Sequence, residues 1–398
     1  MASLSVIIPA YNEERGIAAI ARRVLDVEAS LVLAGVDRLE VVVVDDGSRD
    51  RTAEAAAGVP GVRLIRHAHN RGYGAALKTG FSQAAGDLIG FLDADGTYPP
   101  ESFPAMCTLA LNGADLVIGS RMAGEDSRMP VTRRIGNLFF AGLLSLLSRQ
   151  RVSDSASGMR VFKRSILERL YPLPDGLNLT PVMSVRALHE GVAMAEVPIR
   201  YEERVGRSKL SVVRDGSTFL QSIVWTTLTY NPVRILGALG LAGVAAAGVA
   251  MLGLVIARLR GVTALGPWEV AALYGGMVSA VGGVSVFALG ATFNYLVALF
   301  HRRPVRQGLF GRPVFNPPLD SHFWWIGSLM VIAGLAVGLV SLALGVQGWG
   351  IVRLWLYLLG SAMSILVGLQ LIISWMVLRV LDELNQREFL AAKDLQGA

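Results

Sequence analysis

The chain has 398 residues, 53% of them hydrophobic, and a formal net charge of +6. Its mean hydropathy of +0.48 is too high for an ordinary soluble enzyme, while its pI near 9.7 suits an anionic membrane surface or phosphorylated substrates as well as nucleic acid. The single cysteine, Cys107, excludes an intramolecular disulfide framework and CxxC metal sites, and its place in an expected helix reads as a packed thiol.

The apolar residues are unevenly spread. Up to about residue 230 charges recur every few positions, as in a globular domain with its own core. Met1 to Pro9 is one short β run rather than a cleavable signal, so this domain is expected to stay in the cytosol. Leu4–Ile8 ends at Pro9, and Asn12-Glu13-Glu14 opens an amphipathic helix expected to run to about Leu33. Leu39–Val44 is a β-branched strand closing on Asp45-Asp46-Gly47-Ser48, and Asp50 can cap a helix from Arg51 to Ala57. Val62–Ile65 is a third strand, and Asn70-Arg71-Gly72-Tyr73-Gly74 leads into a helix over Ala75–Ala85. Leu88 to Leu92 then ends abruptly in Asp93-Ala94-Asp95-Gly96, ahead of a helix over Glu101–Asn112 and a strand from Asp115 to Ile118 that closes on Gly119-Ser120-Arg121. Strands alternating with helices imply a mainly parallel, doubly wound sheet, with Tyr11-Asn12-Glu13, Asp45-Asp46 and Asp93-Ala94-Asp95 collected on one rim. Two acids so close repel unless donors or a cation offset them. A hard divalent ion carrying a phosphate ligand would do so; a plain polar turn is the other reading of the bare pattern.

Two segments fit a soluble domain poorly. Residues 132–148 (around Arg133 to Leu147) pair a basic start with an apolar body, and residues 210–230 set Arg214 and Asp215 against Phe219, Leu220, Ile223 and Trp225. Both are too short to span a bilayer; they read as helices lying in the membrane interface, or as buried core helices. Four spans follow, at about Ile235–Ala257, Val270–Phe300, Phe323–Val346 and Val352–Leu378, before a short tail. The second is overlong, and its Gly275-Gly276, Gly282-Gly283 and Gly290 suit close helix packing. Arg302, Arg303, Arg306 and Arg312 in one connecting loop place that loop, the N-terminal domain and both termini in the cytosol by the positive-inside rule.

Several chemistries fail on spacing. There is no GxxxxGK[ST] loop, and Gly72-x-Gly74 lacks the third glycine of a dinucleotide turn. His67 and His69 have no acidic or cysteine partners at ligand spacing and read as loop residues. What remains is a basic set opposite the acidic rim: Arg121, Arg133 and Arg134, Arg160, and Arg204, Arg207 and Lys209. Such cations can contact lipid headgroups; Arg204 and Lys209, at a Gly turn, are favoured for phosphate.

Val6-Ile7-Ile8-Pro9-Ala10-Tyr11-Asn12-Glu13, Val44-Asp45-Asp46-Gly47-Ser48, Asp93-Ala94-Asp95, Gly119-Ser120-Arg121, Ser157-Gly158-x-Arg160 and Gly206-x-Ser208-Lys209 together resemble the family 2 glycosyltransferases of GT-A fold. More narrowly, the chain resembles the dolichol-phosphate mannose synthase, or polyprenyl-phosphate glycosyltransferase, group over about residues 4–230. The resemblance implies a Rossmann-like α/β catalytic domain over residues 1–230, interfacial helices included, and a four-helix transmembrane domain over 231–398. It implies that Pro9, Tyr11, Glu13, Val44 and Asp46 hold a nucleoside, and that Asp93 and Ala94 contact the donor. It further implies that Asp95 binds Mg2+ or Mn2+, and that Arg121, Arg204 and Lys209 serve phosphates, with Arg133 a candidate for the acceptor phosphate. The group often carries Gln as a further metal ligand where this chain has Thr97, so a hydroxyl or water is expected there.

The expected activity is transfer of a hexose, with inversion, from a GDP- or UDP-sugar to dolichyl or undecaprenyl phosphate at the inner membrane. The expected partners are the donor, the lipid phosphate and the bilayer, with no nucleic acid; a homo-oligomer is left open. Two alternatives stand beside it. A processive polysaccharide synthase needs a Gln-x-x-Arg-Trp signature, and Gln221 is followed by Ser, Ile, Val and Trp225 instead. A non-catalytic membrane scaffold has no use for Asp93, Asp95, Arg204 and Lys209 together.

Overall fold

The computed structural model describes residues 2–122, 131–148, 152–202, 212–262, 266–301 and 319–396. The chain divides into two compact units, Met1–Thr226 and Thr227–Ala398. In the first, β1 (Ala2–Ala10), β2 (Val36–Asp45), β3 (Val62–Arg66), β4 (Leu88–Phe91), β5 (Leu116–Ser120), β6 (Arg160–Lys163) and β7 (Met194–Pro198) form one sheet in the order β3-β2-β1-β4-β6-β5-β7. Every pairing is parallel except those of β6, which runs antiparallel to both β4 and β5. The helices of this unit are α1 (Ile17–Asp26), α2 (Glu28–Leu33), α3 (Thr52–Ala57), α4 (Tyr73–Gln83), α5 (Phe103–Leu111), α6 (Val131–Ser148), α7 (Leu167–Leu170), α8 (Leu179–His189) and α9 (Val212–Leu228). This is a GT-A-like, mainly parallel α/β domain.

The β-branched runs bury both faces of the sheet, because successive strand residues point to opposite sides. Val6, Ile8, Val41 and Val43 pack with α1 and α5 on one face, while Ile7, Val42 and Val44 pack with α4 and α8 on the other. Cys107 belongs to the first core, and burial pushes its thiol up to about 12, as befits a packed group.

Three differences from the sequence expectation have local causes. The helix expected from Asn12 begins only at Ile17 and breaks after Asp26. Asn12 sits at φ 52°, and the neighbouring loop takes the backbone donors a helix would have spent. Asn12 N–H donates to Ser48 Oγ at 2.9 Å and Glu13 N–H to Thr52 Oγ1 at 2.8 Å, while Asp50 caps α3 through Thr52 N–H at 3.0 Å. Strands β6 and β7 have no counterpart in the apolar pattern, because β6 opens on a buried arginine and β7 is an edge strand carrying Glu196 and Pro198. Arg160 accordingly is no rim cation. It is fully buried, donates to the Ser157 and Ser155 carbonyls, and has its pKa lowered by burial to about 10.

The second unit holds α10 (Pro232–Leu259), α11 (Pro267–His301), α12 (Phe323–Val346) and α13 (Ile351–Gln396). All four are long and apolar enough to cross a membrane. Helix α13 continues well past Leu378, since the polar stretch that follows is rich in good helix formers. The Arg-rich stretch 302–318 lies outside the described residues.

Of the paired glycines, only one member of each faces a neighbouring helix. A Cβ on Gly283 would lie 2.7 Å from the Gly240 carbonyl, and one on Gly290 would lie 2.9 Å from the Leu236 side chain, whereas Gly282 and Gly275 meet nothing within 4 Å. The α12–α13 pair is built the same way through Gly327 and Gly368, where a Cβ on either would lie 2.6 Å from the other's carbonyl. Gly283→Leu is therefore expected to cost roughly 1–3 kcal/mol through overpacking, read as a lower Tm in detergent, and Gly282→Leu to leave the Tm nearly unchanged. Equal effects at the two positions would contradict this packing.

Candidate active site

The strand order sets β2, β1 and β4 side by side, and parallel pairing aligns their carboxyl ends, with Ala10 opposite Asp45 and Ile7 opposite Phe91. The three acidic strand ends thus meet, as the alternation of elements implies. Over them opens a cleft of about 510 Å³. Pro9, Tyr11, Glu13, Asp46, Asp93, Ala94, Asp95 and Arg121, all expected from the sequence, line it. Val44 does not: it is fully buried in β2 and packs into the core beside α4. Arg204, Arg207 and Lys209 lie outside the described residues, as does the side chain of Arg133.

Each carboxylate is anchored by donors that its own loop geometry supplies. Asp46 is 3% exposed and accepts from Arg71 N–H at 2.9 Å, Gly72 N–H at 2.8 Å and His67 Nδ1 at 2.6 Å. Gly72 sits at φ 104°, a conformation open to glycine and strained for other residues, which turns its N–H onto that carboxylate. His67 lies in the loop after β3, as expected, and places its other nitrogen 2.9 Å from Thr79 Oγ1, so the ring is a strut between Asp46 and α4. Asp93 Oδ1 accepts from Tyr73 Oη at 2.7 Å. Burial and the Asp93 charge hold the Tyr73 phenol well above its ordinary value, so it stays a neutral donor.

Asp95 Oδ1 accepts from the Thr97 hydroxyl at 2.6 Å and the Thr97 N–H at 3.2 Å. Thr97 itself is 1% exposed and is not part of the cleft wall. Its hydroxyl thus orients the carboxylate that the sequence marks as the metal ligand. Gly158 is pressed against Asp93, where a Cβ would come within 2.5 Å of Oδ2, and its N–H donates to Tyr98 Oη at 2.7 Å.

Arg121 enters the cleft already paired. Its Nε and Nη2 donate to the two oxygens of fully buried Asp154, both at 2.7 Å, its N–H adds a third bond, and the guanidinium lies 5.6 Å from the Tyr201 ring centre. Burial opposes ionisation of Asp154, yet the Arg121 charge and its hydrogen bonds outweigh that and hold the carboxyl below its usual range. Sequence reasoning missed Asp154, Tyr73, Tyr98 and His67, because each is recognisable only by the group it supports. The lining also includes apolar side chains, Phe140 of α6 and Phe219 of α9 at 6.0 Å ring separation, and Leu177.

A family profile described as Glycosyl transferase family 2 matches residues 5–171, and one described as a domain of unknown function (DUF8752) matches residues 232–392. The dolichyl-phosphate hexose transferase of Haloferax volcanii is 35% identical over 226 residues, which are 56% of this chain and 92% of that protein. The undecaprenyl-phosphate 4-deoxy-4-formamido-L-arabinose transferase of Pseudomonas aeruginosa is 34% identical over 256 residues, 62% of this chain and 70% of the relative. A crystal structure of glucosyl-3-phosphoglycerate synthase from Mycobacterium tuberculosis with UDP is similar at a TM-score of 0.47 and 22% identity, over 57% of this chain and 80% of that one. The chain belongs to glycosyl transferase family 2. Its curated relatives are polyprenyl-phosphate sugar transferases, one of dolichyl-phosphate and one of undecaprenyl-phosphate specificity.

The Arg121–Asp154 pair gives a measurable acid limb. Asp154 has a folded pKa below its unfolded one, so the pair's contribution is complete above about pH 4 and is lost as pH falls through the folded value. Asp154→Asn should remove that dependence and, by leaving Arg121 buried without its counter-ion, cost about 3–5 kcal/mol near neutrality. Thermal unfolding of the full chain in detergent between acid and neutral pH reads both effects; an unchanged Tm at pH 7 would contradict the pairing.

Proposed function

We propose that the protein transfers a hexose from a nucleoside-diphosphate sugar to a polyprenyl phosphate, with inversion, at the cytosolic face of a membrane. The observation that carries this reading is the polarity of the cleft. Among its described lining residues are five acids (Glu13, Asp46, Asp93, Asp95, Asp215) and one base, Arg121, itself bound by Asp154. A diphosphate cannot settle among those carboxylates without a cation, and Phe140, Leu177 and Phe219 of the same lining offer apolar surface to a lipid chain. The acidic lining thus suits a metal-borne nucleotide and the aromatic side chains a lipid.

Asp95 fits a hard divalent ion such as Mg2+ or Mn2+: it is a carboxylate braced on one oxygen by Thr97, with room in the cleft for phosphate oxygens to complete the shell. Among the described residues no group of three or more His, Cys, Asp or Glu could hold an ion, which is consistent with a site that substrate completes. When bound, the ion would act as a Lewis acid that takes up charge on the departing diphosphate. The chain's own residues position the reactants. Tyr11, Glu13 and Asp46 hold the nucleoside, with Asp46 locked by His67 and the Gly72 turn, and Asp93 is held by Tyr73 against the donor sugar. Arg121 Nη1, without a hydrogen-bond acceptor among the described residues, is available to a phosphate oxygen. Arg204 and Lys209 supply the further positive charge, and Arg133 a contact for the acceptor phosphate. An acceptor phosphate oxygen attacks the anomeric carbon as the bond to the nucleoside diphosphate breaks; the nucleophile is already an anion, so no general base is needed.

Exposed Ile135, Leu138 and Phe139 on α6, beside exposed Arg134, and Trp225 on α9 supply an apolar face with cations at its border, as an interfacial helix pair requires. The four apolar helices anchor the chain in the same bilayer, with the Arg-rich loop on the cytosolic side. Radiolabelled transfer from a panel of GDP- and UDP-sugars into an organic-extractable, mild-acid-labile lipid tests the reading. Chelation by EDTA should abolish transfer and Mg2+ or Mn2+ restore it, and Asp95→Asn should lower kcat by about 10²-fold or more. Thr97→Val should reduce it by a smaller factor while leaving metal rescue intact. Full activity of Asp95→Asn with metal present would remove the metal assignment, and a polymeric product would favour a processive synthase.

A further inference from the structure

One of the polar lining groups that the transfer mechanism above does not use is buried with an atom left unpartnered. Asn137 of α6 is 5% exposed and lines the cleft. Its Nδ2 donates to the Ser153 carbonyl at 3.4 Å, and its Oδ1 has no hydrogen-bond partner in the chain. Turning the amide over would set carbonyl against carbonyl at Ser153, so the orientation leaves the acceptor oxygen as the group on offer. A buried amide oxygen left unpaired is costly, and native proteins keep few of them without a ligand or water to fill the vacancy.

The kind of ligand follows from the surroundings. Gly136 and Phe140 of the same helix are uncharged, the one cation among the described lining residues, Arg121, is held by Asp154, and a carbonyl oxygen repels a phosphate while it attracts a hydroxyl. The place follows from the sheet. Ser153, to which Asn137 is bonded, is also bonded through its hydroxyl to Ser120 at the end of β5. The nucleoside-side residues Pro9, Tyr11 and Asp46 stand at the ends of β1 and β2, on the other side of β4 and its Asp93. A donor laid from β2 across β4 therefore brings its sugar toward β5 and Asn137.

We propose that Asn137 Oδ1 accepts a hydrogen bond from a hydroxyl of the sugar being transferred, which makes it a residue that determines donor specificity. The inference rests on the reading of this cleft as a sugar-transfer site and names a contact that reading leaves open. Asn137→Leu keeps the branched side-chain shape at a larger volume and removes both the acceptor and the donor to Ser153; Asn137→Asp keeps an acceptor oxygen and would repel a phosphate.

The test compares the wild type and both variants in full-length, detergent-solubilised form against the best natural donor and its singly deoxygenated analogues. In the wild type, loss of one particular hydroxyl should lower kcat/KM about ten- to hundredfold. Asn137→Leu should show a similar loss with the natural donor and little further loss with that analogue, while Asn137→Asp should stay sensitive to it. Equal sensitivity of the wild type and Asn137→Leu to every deoxygenation overturns the proposal. So does a loss confined to the KM for polyprenyl phosphate that Asn137→Asp worsens, since the amide would then serve the acceptor. A variant too unstable to assay for turnover is read by calorimetric binding of the same donors, and matching affinity losses support the contact equally. If the wild type binds a nucleotide-sugar but forms no lipid product, the transfer reading fails while the binding arm still decides the role of Asn137. A wild type that binds no nucleotide-sugar overturns both.

Discussion

Like charges brought together at aligned strand ends are the constraint on which the catalytic unit depends. The parallel pairing of β2, β1 and β4 places Asp46, Asp93 and Asp95 over one cleft, and carboxylates that share a cleft repel one another while hydrogen-bond donors hold each in place. The surrounding structure supplies those donors one by one: His67 and the Arg71-Gly72 turn for Asp46, Tyr73 for Asp93, Thr97 for Asp95. The loops that carry them are in turn tied to each other. Asn12, Glu13 and Glu14 bond to Ser48, Thr52 and Asp50, which is why the first helix starts late and why the rim is a rigid edge rather than two mobile loops.

The acids themselves were legible in sequence because each ends an apolar run, and a strand end is readable from hydropathy alone. Their supports were not. Tyr73 appears in sequence as the last residue of a polar turn, and Asp154 as one polar residue among several in Ser153-Asp154-Ser155. Nothing local marks either; their roles arise from contacts 20 and 33 residues away in the chain. The antiparallel β6 escaped for a related reason. A four-residue strand that opens with arginine looks like surface, and only its insertion between β4 and β5 buries Arg160. The resemblance to the polyprenyl-phosphate group picked out Val44 and Thr97 by alignment of motifs, and what their side chains touch, the core and the neighbouring carboxylate, is visible only in the fold.

The membrane unit was legible in a different sense. Length and hydropathy located all four helices, but composition could not tell which glycine of each pair faces a neighbour, since adjacent helical residues point about 100° apart. Gly283 and Gly290 lie seven residues apart on one face of α11, with Gly240 and Leu236 opposite them on α10. Close approach there substitutes for the hydrophobic driving force that lipid removes, leaving van der Waals contact between backbones to hold the pair.

The distribution of charge explains why a cleft so rich in carboxylates need hold no general base. A base is required when the nucleophile must lose a proton as it attacks, and a phosphate anion has none to lose. The acids are then left to a different task, that of fixing a cation and the donor's hydroxyls. For that task ionised, firmly bonded carboxylates are better than ones poised to titrate. Tyr73 and Thr97 donate to Asp93 and Asp95 and fix the directions of those carboxylates. Arg121 is likewise more useful paired than alone. Asp154 fixes its plane and cancels its charge, so that it contributes directed hydrogen bonding near the diphosphate while net positive charge comes from elsewhere. In the proposed reaction such a division of labour, in which geometry is supplied by buried pairs and charge by a substrate-borne ion and further basic residues, would let a single cleft hold two anionic reactants without a permanent excess of positive charge.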